Sequence, residues 1–186
     1  MVRLADERRV EVGLIGSEGF VGLPVLLETD PGPHHVVCRV AGAALRMPSG
    51  VFRATLGRTR VLRTLLYRYS GLRLIEQAQL VACNALHPVS PRLARWLLMA
   101  SDRLPADEFR LTQEFLAQML AVRRPYLNAA AQHLRRSGYI SYHRGQIRLL
   151  DRSALEATAC EDYRVLRAEY ARLLVPVART PTQSCP

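Results

Sequence analysis

The stretch Leu111–Leu150, LTQEFLAQMLAVRRPYLNAAAQHLRRSGYISYHRGQIRLL, carries the densest run of local structure signals in the chain. Thr112 is a good N-cap, because its hydroxyl can accept from a backbone N–H that has no intrahelical partner; Gln113 and Glu114 follow in the first turn. Phe115, Leu116, Met119 and Leu120 then supply the buried face of a short helix. Ala121-Val122-Arg123 reads as a three-residue turn. A second helix is predicted from Arg124 to about Ser137, with Pro125 tolerated in its first turn and Leu127, Ala130, Ala131 and Leu134 turned inward. Gly138 fits the left-handed position after a basic last turn, Arg135-Arg136. Tyr139-Ile140-Ser141-Tyr142 and Ile147-Arg148-Leu149-Leu150 flank a His143-Arg144-Gly145-Gln146 turn and read as a β-hairpin. Helix, tight turn, helix and hairpin in this order make a winged helix-turn-helix.

The face of the second helix turned away from its apolar stripe carries Arg123, Arg124, Tyr126, Asn128, Ala129, Gln132 and His133. Long polar side chains in the N-terminal half of such a helix suit the major groove, where Arg bonds bidentately to guanine and Asn or Gln to adenine. Arg124 is the first choice for base readout. Arg123, Tyr126 and Thr112 suit phosphates, Arg144 at the wing tip suits the flanking backbone, and Gln113, Asn128 and Gln132 complete the candidate DNA-binding set. The plainer alternative is a solvated helical face, which the order of the four elements disfavours.

Charge agrees with this placement. The 186 residues hold 26 basic side chains, all Arg, against 16 acidic ones, a net charge of +10. It is uneven: −1 over residues 1–50, +6 over 51–110, +5 over 111–150 and 0 over 151–186, with Glu114 the one acid of the third stretch. A localised excess is an electrostatic footprint for a polyanion, whereas an all-Arg total also follows genome composition. With 49% hydrophobic and 23% charged residues the composition is that of a globular protein with a real core, and it argues against disorder, collagen-like repeats or a disulfide-dense mini-protein. No long apolar run and no signal-like N-terminus occur, so a cytoplasmic location without membrane association is expected. Cys38, Cys83, Cys160 and Cys185 are far apart with no CxxC, and reduced thiols without a metal site or other cofactor are expected. No nucleophile, base and orienter set is signalled, so no enzyme is expected.

Working outward, Ser90-Pro91 reads as an N-cap and first helical residue, following a stop at His87-Pro88. The helix from Pro91 to about Ala100 places Leu93, Trp96, Leu97 and Ala100 on one face, with Trp96 a core residue. From Val51 to about Leu86 one long helix is predicted, with Gly71 inside it as a weak point. Leu62, Leu65, Tyr69, Leu72, Glu76, Gln79 and Cys83 recur at alternating steps of three and four, a heptad seam. Such a stripe packs against its own domain or pairs with a second copy, and the length favours a parallel dimer interface through Leu62, Leu65, Tyr69, Leu72, Gln79 and Cys83. The first fifty residues read as β structure, with runs at Val10–Ile15 and Val36–Val40 between turn clusters. Glycines at 13, 16, 19 and 22 read as turns of a small β-roll rather than a phosphate cradle, since no GxGxxG leads into a helix. His34, His35 and Cys38 offer imidazole and thiolate without a fourth ligand and read as loop and strand residues. Cys160 is expected to be packed on a final helix, and Ala178–Pro186 to be disordered.

Leu111-Thr-Gln-Glu-Phe-Leu-Ala-Gln-Met-Leu-Ala-Val-Arg-Arg, Asn128 to Leu134 and Ser137-Gly-Tyr-Ile resemble the DNA-binding domain of the Crp/Fnr family of bacterial transcription regulators. Val10-Glu-Val-Gly-Leu-Ile-Gly-Ser-Glu-Gly-Phe-Val-Gly-Leu resembles later strands of that family's cyclic-nucleotide-binding-like β-roll, and 51–86 its dimerisation helix. The resemblance implies an α+β chain: a partial β-roll (1–50), truncated at its N-terminus or preceded by a misplaced start codon, a dimerisation helix (51–87), a winged helix-turn-helix (88–163), and a helix end and tail (164–186). It implies a homodimer on a palindromic operator in double-stranded DNA, with RNA polymerase a further partner. Where cyclic-nucleotide binders of the family place a Glu and an Arg-Ser pair, this chain has Gly22-Leu23-Pro24 and Pro33-His34-His35-Val36, so no tight cyclic AMP binding is expected. The family's iron–sulfur sensors carry an N-terminal cysteine cluster that is not present. Ala121 stands where Gly is common, and Pro125 where many members carry an acidic base-contacting residue, so operator preference does not transfer. A competing reading is an interaction module that heterodimerises with a full-length relative through 51–86 and dampens its DNA binding.

Overall fold

Val10–Ile15 has the composition of a strand, yet it does not form one in the computed structural model, which describes residues 1–3, 9–38, 40, 42–104 and 108–174. Among these, N-terminal β structure is confined to β1 (Val2–Arg3) and β2 (Arg9–Val10), antiparallel with Val2 opposite Val10. A strand needs a ladder for its backbone groups. Beyond Val10 that role passes to side chains of a long helix: Gln77 Nε2 donates to the Val12 carbonyl and Arg73 to the Leu14 carbonyl at 2.9 Å. The expected strand at Val36–Val40 is likewise missing from its described residues, Arg39 lying outside them. Among the described residues of 1–50 the expected β-roll is therefore corrected to largely irregular chain, with the turn Gly16–Gly19 closed by a 3.1 Å backbone bond and a short helix, α1 (Leu23–Leu26).

The single helix expected from Val51 is two, α2 (Ser49–Arg58) and α3 (Arg60–Leu86), parted at Thr59. Gly57 and the β-branched Thr59 are poor helix formers at that joint. Phe52 of α2 stacks on Phe20 with centroids 5.2 Å apart, and with Leu26 and Leu66 they form a small core over the N-terminal segment.

Next come α4 (Val89–Ser101), β3 (Glu108–Arg110), α5 (Gln113–Met119), α6 (Arg124–Arg136), β4 (Ile140–His143), β5 (Gln146–Leu149), α7 (Arg152–Thr158) and α8 (Asp162–Leu174). α4 starts earlier than expected: Pro88 is its N-cap, Ser90 and Pro91 both lie inside the first turn, and the Ser90 hydroxyl caps nothing. Pro91 still costs no hydrogen bond, because the first four N–H groups of a helix have no intrahelical partner. Every residue from Arg92 to Ser101 is buried, so α4 is the central rod of the larger core, against which α6, α7 and α8 pack. Trp96 is a core residue as expected, edge-on to Phe115 with centroids 6.3 Å apart, and its indole N–H donates to Glu11 at 3.0 Å.

α7 opens on Asp151, which accepts from Ala154 N at 2.9 Å, and Cys160 lies just past its end rather than on it. Arg152 bonds Asp102 and donates to the Tyr163 hydroxyl at 2.7 Å, and Tyr163 donates to Asp102 at 3.0 Å, which joins α4, α7 and α8. α8 then lies along α3. This pairing decides the heptad stripe: Tyr69, Leu72, Glu76 and Cys83 are buried within one chain. Of the expected interface residues, Leu62 packs on the N-terminal cluster, Gln79 is half-buried and Leu65 remains 44% exposed. The tail expected to be disordered, 178–186, lies outside the described residues.

Candidate nucleic-acid interface

The Thr112 hydroxyl accepts from Phe115 N at 3.1 Å, the cap expected of it. α5 ends in a Schellman close: Val122 N bonds Ala117 O at 2.9 Å and Ala121 N bonds Gln118 O at 3.1 Å, with Ala121 at φ +51°. A non-glycine residue in that left-handed region costs about 1–2 kcal/mol, while the extra backbone freedom of Gly in the unfolded chain costs about 0.5–1 kcal/mol. Ala121→Gly is therefore expected to stabilise the protein by about 0.5–1 kcal/mol, read as a rise in the urea midpoint at unchanged slope. α6 ends in the same motif with the usual residue, Gly138 at φ +77°, as predicted.

The tight turn aims α6 outward. Its stripe of Leu127, Ala130, Ala131 and Leu134 is buried, while Arg123, Arg124, Tyr126 and His133 are exposed. Asn128 and Gln132 are half-buried. Gln113 and Gln132 both donate to Asn128 Oδ1, at 3.3 and 3.4 Å. A bidentate Asn–adenine pair needs that oxygen as acceptor, so Asn128 must exchange these bonds to read adenine. Arg124 has no such competition.

The wing is more elaborate than the predicted hairpin. Arg144 and Gly145 at φ +47° and +79° form a two-residue turn with His143 opposite Gln146, the type I′ geometry that suits the strand twist. β3, which its three residues did not signal, adds an edge strand in the order β3-β5-β4, with Phe109 opposite Ile147. The Gly145 carbonyl accepts from Leu111 N at 2.7 Å, and the Tyr142 hydroxyl donates to Leu111 O at 3.1 Å. Burial pushes the Tyr142 phenol upward from its ordinary value, so it stays a donor at neutral pH. These bonds tie the wing to the foot of α5.

Thr112, Gln113, Arg124, Asn128, Gln132 and Arg144 line one open groove between α5, α6 and the wing turn. Arg123 and Tyr126 are exposed at the start of α6 without lining it. Arg135 and Tyr142 line it too, although sequence reading gave Arg135 only a helix-end role. All six Arg residues of 111–150 are exposed, and among the described residues none is ion-paired. Several acids of the chain pair with arginines outside this stretch, as in Arg152–Asp102 and Arg103–Glu18. The groove is thus a positive, donor-rich surface between α5, α6 and the wing turn.

His34, His35 and Cys38 are exposed, whereas four other side chains capable of holding a metal converge at the α3–α8 junction: Cys83, His87, Cys160 and Asp162. Cys160 was expected to be packed on a final helix, and Cys83 to lie in a dimer interface. His87, read as a helix stop, does follow the last residue of α3.

Residues 91–158 match the family model of the Crp-like helix-turn-helix domain. Over these residues the chain is similar to a Crp-like helix-turn-helix domain. FixK2 from Bradyrhizobium japonicum shares the fold at a TM-score of 0.54 and 17% identity, over 60% of this chain and 59% of that one. A Crp/Fnr-family transcriptional regulator from Eubacterium rectale is 19% identical over 60% of this chain and 51% of its own, TM-score 0.47. A Crp-family transcriptional regulator from Thermus thermophilus is 25% identical over 50% of this chain and 51% of its own, TM-score 0.45. The chain thus spans about half the length of the solved proteins it matches. No protein of curated function matches it. The mixed architecture of a long helix, a small antiparallel sheet and a C-terminal helix-turn-helix is shared with FixK2 at the level of the fold. Among the described residues no helix is long and apolar enough to cross a membrane.

Proposed function

We propose that the chain is a non-enzymatic, cytoplasmic regulator of transcription that binds a palindromic operator as a homodimer, without cyclic AMP and with RNA polymerase as a further partner. The observation that carries this reading is the groove itself: Arg124, Asn128 and Gln132 on one exposed helix face, flanked by Thr112, Gln113 and Arg144, with no acid in the groove lining. Arg124 reads a base, and Arg123, Tyr126, Thr112 and Arg144 hold phosphates. Two copies set their recognition helices about 34–36 Å apart, one turn of the duplex.

Selecting bound sequences from a random duplex pool at physiological salt tests this, because non-specific phosphate binding weakens there. A two-fold palindrome is expected, and recovery of nothing above background counts against the reading. On the selected operator Arg124→Ala is expected to cost about 1–3 kcal/mol and to relax preference at one position per half-site. Arg123→Ala should instead weaken all sequences alike and reduce the salt slope by about one unit. An equal loss on every sequence for Arg124→Ala would reassign it to the phosphates.

A further inference from the structure

Cys83 and His87 are four residues apart at the C-terminal end of α3, and Cys160 and Asp162 sit at the start of α8. The α3–α8 contact brings the two pairs together across 77 residues of chain. One ligand atom from each of the four lies within 4.8 Å of every other. The two Sγ atoms are 3.4 Å apart, and His87 Nδ1 is 3.3 Å from Asp162 Oδ2. Around a tetrahedral zinc ion with bonds of about 2.3 Å to sulfur and about 2.0–2.1 Å to nitrogen and oxygen, those edges are about 3.8 and 3.3 Å. The observed edges are within a few tenths of an ångström of these.

Two further observations point to a cation. His87 Nδ1 and Asp162 Oδ2 are buried and make no well-aligned hydrogen bond, facing only each other at 3.3 Å, an expensive state for polar atoms that a shared ligand relieves. The other nitrogen of the same ring, Nε2, lies 3.3 Å from Glu161 Oε1, the outer carboxylate that commonly orients a metal-bound histidine. Cys83 is fully buried, and Cys160 and Asp162 are 6% and 3% exposed, so ordinary solvation of charge is denied to this group. Arg92 and Arg95 of α4, both buried, lie near the two thiols and offset the negative charge that two thiolates and a carboxylate bring.

We propose that Cys83, His87, Cys160 and Asp162 form a closed, structural site for one divalent cation of the zinc class, clamping the end of α3 to the start of α8. Two thiolates and an imidazole favour zinc over magnesium or calcium, which prefer all-oxygen shells. Four protein ligands leave no open position for chemistry. α8 also packs on α4, against which α6 is seated, so the clamp fixes how the helix-turn-helix core hangs from the long helix.

The test uses the full-length reduced chain with cobalt(II) as a spectroscopic stand-in. One Co2+ per chain should bind with the intense visible bands of a tetrahedral ion and thiolate-to-cobalt charge transfer, and Zn2+ should displace it. Cys160→Ser and Asp162→Asn should abolish or reshape those bands, while Cys38→Ser leaves them intact. Glu161→Gln should keep the spectrum and weaken binding about tenfold, as loss of an orienting partner does. Should a ligand variant fold poorly, wild-type alkylation by N-ethylmaleimide gives a second reading. Zn2+ should then slow modification of Cys83 and Cys160 by about tenfold or more, because the bound thiolate is no longer a free nucleophile, and leave Cys38 unaffected. Weak octahedral cobalt bands, binding unchanged by Cys160→Ser, or recovery of Cys83 and Cys160 as a metal-free disulfide would each overturn the proposal.

Discussion

Glu11→Gln is expected to remove a loss of stability of about 3 kcal/mol that the wild-type protein undergoes as pH rises from about 4.5 to 7. Glu11 is 9% exposed and accepts from the Trp96 indole in the larger core. Burial pushes its carboxyl from the ordinary 4.5 up to about 7; the Trp96 bond and the Arg95 charge oppose this, and Glu76 adds to it. The sign follows from which state holds the proton. Below about 4.5 both states are protonated and Glu11 contributes no pH dependence. Between about 4.5 and 7 the unfolded chain has released its proton and the fold retains it, so stability falls with rising pH and levels off above about 7. Gln keeps the shape and the acceptor oxygen without the charge. Urea midpoints of both proteins from pH 4 to pH 8 should therefore diverge in that window, with the variant more stable on the neutral side. Parallel curves would mean that Glu11 titrates in the fold as it does in the unfolded chain.

That pair also marks where sequence reading stops. Helix caps, apolar stripes and turn residues act within about four positions of chain, so Thr112, Leu127 to Leu134, Gly138 and the Arg144-Gly145 turn were legible with near-correct boundaries. The recognition face followed, because a helix with one apolar stripe leaves little freedom about what faces outward. Strands at Val10–Ile15 and Val36–Val40 were not legible, since a β-rich composition becomes a strand only when a partner ladder exists, and Arg73 and Gln77 bond the first segment instead. The heptad stripe is buried at Tyr69, Leu72, Glu76 and Cys83, yet spacing alone does not say whether a second copy, the reading its length favoured, or α8 covers it. Most of it is covered by the chain itself. Contacts across long separations, Glu11 with Trp96 and Cys83 with Cys160, left no local mark beyond the Cys-x3-His spacing at the end of α3.

The largest mutational effect is expected at Leu127, whose side chain is fully buried in the larger core beneath the outward face of α6. Truncation to Ala should cost about 2–5 kcal/mol, the transfer energy of the lost methyl groups plus the cavity they leave. Helix propensity does not contribute, because Ala is at least as good a helix former as Leu, so the loss reports packing alone. Leu150→Ala is the control: the same atoms are removed at a position 55% exposed in the same domain, and a change within about 0.5 kcal/mol is expected. Urea unfolding followed by circular dichroism separates the two as a large and a small midpoint shift at unchanged slope. DNA binding then distinguishes a side chain that positions from one that touches. Well below its unfolding transition, Leu127→Ala should retain the base preference of the wild type with a raised Kd, because Arg124 and the groove residues are intact. Arg124→Ala should lose preference while unfolding like the wild type. Equal stability losses for the two leucine variants would mean that α6 is not seated on α4, and the groove geometry on which the operator reading stands would fail with it.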